Sequence, residues 1–218
     1  MEPPDKPLST ALPLAGRNAA EASRVEPSDK ALSAEELEEK VRRAGRGDEQ
    51  AVSWLFETYH PRVYRYALAR LGNPHDAEDV AAEAFTAVVR KVSGFRWRGA
   101  GFEAWLFRIA ANAVVDRHRR RARDPVELRE DSGFEERAGG REPDQALLVA
   151  EGDGELRALL DGLPAEQQEV LLLRFAAELS AAEVGRVMSR KPNAVRQLQF
   201  RALESLRRSM GEAESSDG

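Results

Sequence analysis

Cysteine is absent from the 218 residues, so neither a disulfide nor a thiolate metal site can be built. The three histidines, His60, His75 and His118, have no ligand spacing, and no metal or cofactor is expected. Aromatic residues make up only 6% of the chain against 33% charged, which favours small helical domains over a thick sheet core. No stretch approaches the roughly 18 apolar residues that cross a bilayer. The opening Met-Glu-Pro-Pro-Asp has the wrong charge for a secretory leader, and "ALPLAG" (11–16) is too short to be its apolar segment. A soluble, cytoplasmic protein with no membrane insertion is expected. No phosphate-cradling glycine loop, nucleophile elbow or metal motif occurs, so an enzyme is not expected.

What is present is an uneven distribution of charge. The net value of −5 argues against nucleic acid until it is resolved along the chain. Residues 90–123 hold ten basic and two acidic side chains, and residues 186–208 hold seven and one. Between them, residues 124–153 hold three basic and ten acidic. Two basic patches flanking an acidic strip form the footprint of a nucleic-acid binder.

The pattern predicts an all-α protein of two small helical domains on a flexible acidic linker. Residues 1–32, rich in Pro, Ser and Ala without a sustained period, read as a disordered extension. Ser33-Ala-Glu-Glu36 is a capping-box pattern that opens the first domain, 33–123. Within it, Val52, Leu55, Phe56 and Tyr59 lie at helical spacing, Pro61 reads as the first residue of a new helix, and Val80, Ala84 and Val88 form a stripe. A Gly-flanked basic loop, "SGFRWRGAG" (93–101), leads into a long helix ending in an arginine run. Residues 124–153 read as linker, 154–210 as a second helical domain, and 211–218 as an acidic tail.

The second domain holds the sharpest signal. Ser180-Ala-Ala-Glu183 is another capping box, so a helix starts at Ala181 and ends near Met188. Pro192 then opens a further helix. At 100° per residue, Val195, Leu198, Ala202 and Leu206 fall on one side. Asn193, Arg196, Gln197, Phe200, Arg201 and Arg208 fall on the other. A helix-turn-helix needs this arrangement: an apolar side seated on the preceding helices, and Arg, Asn and Gln free to contact purine edges in the major groove. The competing reading is an amphipathic helix with a solvated basic face. Lys191, at the N-cap position, is a poor cap.

The first basic patch also has two readings. Arg117, Arg119, Arg120, Arg121 and Arg123 either complement a helix C-terminus or neutralise phosphates. Phe95 and Trp97, alternating with Arg96 and Arg98, either stack on unpaired bases or plug the base of the domain. Trp105 and Phe107 read as core. Asp76, Asp79 and Glu83 form an acidic stripe at i, i+3 and i+7 without the Gly and Asn of a calcium loop. It reads as a protein-docking face or an ordinary solvated one.

In order, the "DAEDV" helix, the aromatic basic loop, "WLFRIAANAVVDRHRRR", the linker, "LPAEQQEVLLLRF" and the helix-turn-helix resemble the bacterial extracytoplasmic-function (group 4) sigma factors of the sigma-70 family. The resemblance covers about 47–123 and 154–208. It implies that the first domain docks on the β′ clamp helices of RNA polymerase through Asp76, Asp79 and Glu83. It further implies recognition and melting of the −10 element by Phe95, Arg96, Trp97, Arg98, Asn112, Asp116, Arg119 and Arg120. The second domain is implied to rest on the β flap and read the −35 element with Lys191, Asn193, Arg196, Gln197, Phe200 and Arg201. Promoter DNA, core polymerase and an anti-sigma factor are the implied partners. The chain departs from the family pattern at Ala82, Ala111, Gln168 and Phe200, which bears on the promoter sequence and on single polymerase contacts. A stand-alone regulator binding operator DNA, and a helical adaptor binding only proteins, are the alternatives. The "DAEDV" helix and the aromatic loop separate them, because a repressor needs neither.

Overall fold

A computed structural model describes residues 33–97, 101–123 and 154–216. The expected extension 1–32 and linker 124–153, and Arg98 of the aromatic loop, lie outside the described residues. The first helical group comprises α1 (Ala34–Gly45), α2 (Glu49–Leu71), α3 (Pro74–Lys91), a short 3₁₀ turn (Val92–Gly94) and α4 (Gly101–Arg123). The second comprises α5 (Gly154–Asp161), α6 (Ala165–Phe175), α7 (Ala181–Val187) and α8 (Pro192–Ser216). No strand occurs among the described residues.

Local signals account for the boundaries. Asp48 caps α2 by accepting from the Ala51 N–H at 3.1 Å. That hydrogen bond, and then Arg43 beside it, hold the Asp48 carboxyl below its usual range. Gly72 ends α2 at φ 66°, in the left-handed region, with its N–H bonded to Leu68 O. Asn73 caps α3 through the Asp76 N–H, and Pro74 fills the first turn.

Pro61 does not open a new helix. It lies inside α2, which runs unbroken from Glu49 to Leu71. A proline there forfeits a backbone hydrogen bond and crowds the carbonyl four residues back, a cost of about 3 kcal/mol. Leu55 and Tyr59 before it and Val63 and Tyr66 after it are all buried, and that packing offsets the cost. The ring of Pro61 itself faces solvent.

At the other end, α8 continues past residue 210 to Ser216 and takes in most of the expected acidic tail. The core of the first group is built by Val63, Tyr66, Val80, Phe102, Leu106 and Phe107, and that of the second by Val170, Leu173, Leu179, Val184 and Val195. From Ala34 onward the helices form a single unit, in which α7 packs on α4 and α6 on α2.

Candidate nucleic-acid interface

The α7–α8 pair has helix-turn-helix geometry, and its sequence explains why. Ser180 accepts from the Glu183 N–H while the Glu183 side chain accepts from the Ser180 N–H at 2.7 Å, a complete capping box. Between the helices, Ser189 takes φ 56° and Arg190 N–H returns to Gly185 O at 2.7 Å. A Cβ on Gly185 would come within 2.6 Å of Arg190 O, so the turn closes only over glycine. Val195 and Ala202 of α8 are fully buried, and Leu198, Leu203 and Leu206 are half-buried. Lys191, Asn193, Arg196, Gln197, Phe200 and Arg201 are all exposed. Asn193 Oδ1 accepts from Arg196 Nη1 at 2.7 Å and steadies the guanidinium at the start of the helix. Phe200 is 62% exposed, an unusual state for a phenylalanine flanked by polar residues.

In the first group, Asn112, Asp116, Arg119 and Arg120 are exposed along one stripe of α4. Asp116 pairs with Arg119 at 3.5 Å. Arg96 is exposed, and Phe95 and Trp97 are half-buried. The Phe95 ring packs on Trp97, Phe102 and Trp105, with centroids 5.8, 6.1 and 5.0 Å away. Phe95 is therefore a plug at the base of the group. The half-open ring of Trp97 leans edge-on against it, and one of its faces remains the better stacking surface.

The acidic stripe needs a correction. Asp76 is not a surface docking residue: its side chain is fully buried. Arg117 Nε donates to its Oδ1 at 2.7 Å, and Arg121 is ion-paired with its Oδ2. The two arginines of the run that face inward thus neutralise a buried carboxylate rather than phosphates. Asp79 and Glu83 are exposed, at 3.7 Å from Arg117 and 3.1 Å from Arg120 respectively. The stripe and the arginine run are two sides of one α3–α4 seam.

A set of polar residues that the sequence reading passed over joins the two groups. Arg62, in α2, lies near the rings of Tyr59 and Phe107, 5.2 and 5.7 Å from their centroids. Its Nε and Nη2 donate to Ala177 O at 3.1 and 2.8 Å, and its Nη1 donates to Glu103 at 2.8 Å. Arg65 pairs with Glu178 at 2.5 Å, the Tyr66 hydroxyl donates to Glu169 at 2.7 Å, and Arg70 donates to Gln168 at 2.7 Å. Arg108 of α4 donates to the carbonyl of Arg186 in α7. Arg62, Arg65 and Arg70 sit at i, i+3 and i+8 of a helix that is otherwise core, and that spacing was the available signal.

Glu103 and Glu183 meet across this seam. Burial, and then the hydrogen bond with Glu183, push the Glu103 carboxyl above its usual range against the pull of Arg62. For Glu183 burial also acts upward, but hydrogen bonds from Glu103 and Ser180 outweigh it and hold the carboxyl low. The proton therefore resides on Glu103. Among the described residues no cluster of side chains could hold a metal ion, and no helix is long and apolar enough to cross a membrane.

Comparison with known proteins matches the two groups separately. Sigma-70 region 2 matches residues 55–124, and Sigma-70 region 4 matches residues 159–208. The ECF RNA polymerase sigma factor BldN of Streptomyces coelicolor is 35% identical over 170 residues, covering 78% of this chain and 64% of that protein, just under two thirds of its length. SigD of Mycobacterium tuberculosis, an ECF RNA polymerase sigma factor, is 36% identical over 183 residues, covering 81% of this chain and 84% of that one. CnrH, solved in complex with the cytosolic domain of CnrY, shares the fold with a TM-score of 0.58 at 23% identity, over 79% of this chain and 96% of that one. The chain belongs to the sigma-70 family, among the ECF RNA polymerase sigma factors.

Proposed function

We propose that this sigma factor brings core RNA polymerase in the cytoplasm to a set of signal-responsive promoters through two separate DNA contacts. Region 4 reads the −35 element as duplex, with α8 in the major groove and Asn193, Arg196, Gln197, Phe200 and Arg201 on the base edges or phosphates, and Lys191 on the backbone. Region 2 engages the −10 element with Arg96, Arg98, Asn112, Asp116, Arg119 and Arg120, and Trp97 stacks on an unpaired base. Asp79 and Glu83, without Asp76, meet the polymerase β′ clamp helices, and region 4 rests on the β flap. The observation that carries this reading is the sorting of α8 into a buried apolar side and an exposed side of Arg, Asn and Gln. The protein takes part in initiation without catalysing a reaction of its own. A regulatory anti-sigma partner fits the reading, since CnrH was solved with CnrY and RpoE from Bartonella quintana with the anti-sigma factor NepR.

Run-off transcription with bacterial core polymerase on pooled genomic DNA tests it. New discrete start sites sharing two upstream elements are expected. An active core from the source organism that yields no new starts, with anti-sigma factor excluded, overturns the assignment and favours an operator-binding regulator.

A further inference from the structure

The two DNA-binding regions are not independent in this structure. Helix α6 leaves its last turn with Glu178 at φ 56°, which turns the carbonyls of Ala177 and Glu178 outward. The negative end of a helix dipole gathers there, and such ends favour cations. Arg62 fills the position, with donors on both carbonyls and its remaining arm on Glu103. Arg65 adds an ion pair to the Glu178 side chain. Further along α2, Tyr66 and Arg70 hold Glu169 and Gln168 on the flank of α6.

The same docking covers α7. In a helix-turn-helix the first helix crosses the DNA backbone while the second enters the groove. Here α7 is turned onto α4: Arg108 donates to the Arg186 carbonyl, and the Arg186 guanidinium lies 3.8 Å from where a Cβ on Gly101 would stand. Gly101 is also where the aromatic loop of region 2 feeds into α4. The backbone-crossing helix of one DNA site therefore lies against the root of the other. Contacts across the seam are rich in arginines and carboxylates, the composition of an interface that separates without exposing a large apolar surface.

We propose that this docking is an autoinhibitory latch, in which Arg62 and Arg65 grip the end of α6, hold α7 against α4, and must release it before promoter DNA binds. The proposal rests on the promoter-binding reading of α7 and α8 given above. It differs from restraint by an anti-sigma factor, because the inhibiting contact lies within the chain.

Absence of cysteine permits a direct test. Ser53→Cys on α2 and Ser209→Cys on α8 accept a donor and an acceptor dye in the full chain. The free protein should give one high-transfer population. Arg65→Glu sets two carboxylates against each other and should shift molecules to low transfer. The double variant Arg65→Glu, Glu178→Arg should restore high transfer. Glu178→Arg alone, at an exposed site outside either core, should open the chain as Arg65→Glu does, and it serves should Arg65→Glu fail to fold.

Binding to a nonspecific duplex, followed by anisotropy at low salt, completes the experiment. If the closed form holds about nine molecules in ten, full opening tightens apparent affinity about tenfold. Arg65→Glu makes the protein more negative by two charges, so electrostatics alone would weaken binding, and a gain can come only from an uncovered surface. Transfer unchanged in both single variants, or transfer lost in Arg65→Glu without tighter DNA binding, overturns the latch. Run-off transcription by the wild type is scored separately, so failure of the promoter reading is not mistaken for failure of the latch.

Discussion

Asp76 and Arg196 mark the limits of what one residue discloses. Arg196 lies on a helix face that periodicity alone identifies, since Val195 and Ala202 are buried where a 100° step puts them. If it contacts a guanine, Arg196→Ala costs about 1–3 kcal/mol at the −35 element, and the loss falls on one base pair when each position is varied. Equal loss at every sequence would make it a phosphate contact. Asp76 shares its stripe with Asp79 and Glu83, and no local pattern distinguishes it. Its burial depends on Arg117 and Arg121, more than forty residues further on, which only the packing of α3 on α4 brings near. Asp76→Asn leaves two inward guanidiniums without their carboxylate. Because both reach solvent, the expected destabilisation is about 1–3 kcal/mol, below that of a fully buried pair, and it would be read as a shift of the urea midpoint. A polymerase-contact role would instead leave stability unchanged and weaken core binding.

Elements were legible where their ends carry side-chain chemistry. The boxes at Ser180 and Glu183, the Asn73–Pro74 start and the Pro192 start all lie where the sequence puts them. Ser180→Ala should cost about 1 kcal/mol and lower the thermal midpoint of region 4, because the Glu183 N–H loses its acceptor. It should also weaken −35 binding, since α7 supports α8. Pro61 is the contrary case. The same residue type that opens α8 sits in the middle of α2, because burial on both sides outweighs one lost hydrogen bond. A local rule prices the backbone and cannot see that packing. The expected tail is a milder instance, since its acidic composition says nothing about the helix that extends through it to Ser216.

At the scale of the whole molecule, the contact between the regions could not be read from sequence. Arg62 and Ala177 are 115 positions apart, across a linker whose composition suggests only freedom. The docking should depend on pH through Glu103 and Glu183, which face Tyr59 and Arg62 of α2, with Glu178 on the far side of Arg62. Glu103 is raised, so its contribution is full at low pH and is lost as pH climbs through its shifted value. Glu183 is lowered, so its contribution is present above the ordinary carboxylate range and is lost as pH falls through its own. Docking should therefore be firmest in mildly acidic solution, between the two, and weaken on either side. Energy transfer between dyes at positions 53 and 209 would trace that curve. Glu103→Gln should flatten its alkaline limb.

The end of α6 carries one more consequence. A helix normally finishes itself with the residues next to it, yet the last carbonyls of this one are completed by a side chain encoded far upstream. Cutting the chain between residues 124 and 153 would part the helix from its terminator, and the C-terminal fragment would fray at Ala177 however well its own interior packed. The intact protein meets the same vacancy whenever the regions separate. Whatever surface receives region 4 has to bring a donor of its own to those two oxygens, and a cationic side chain placed there would make the exchange nearly even.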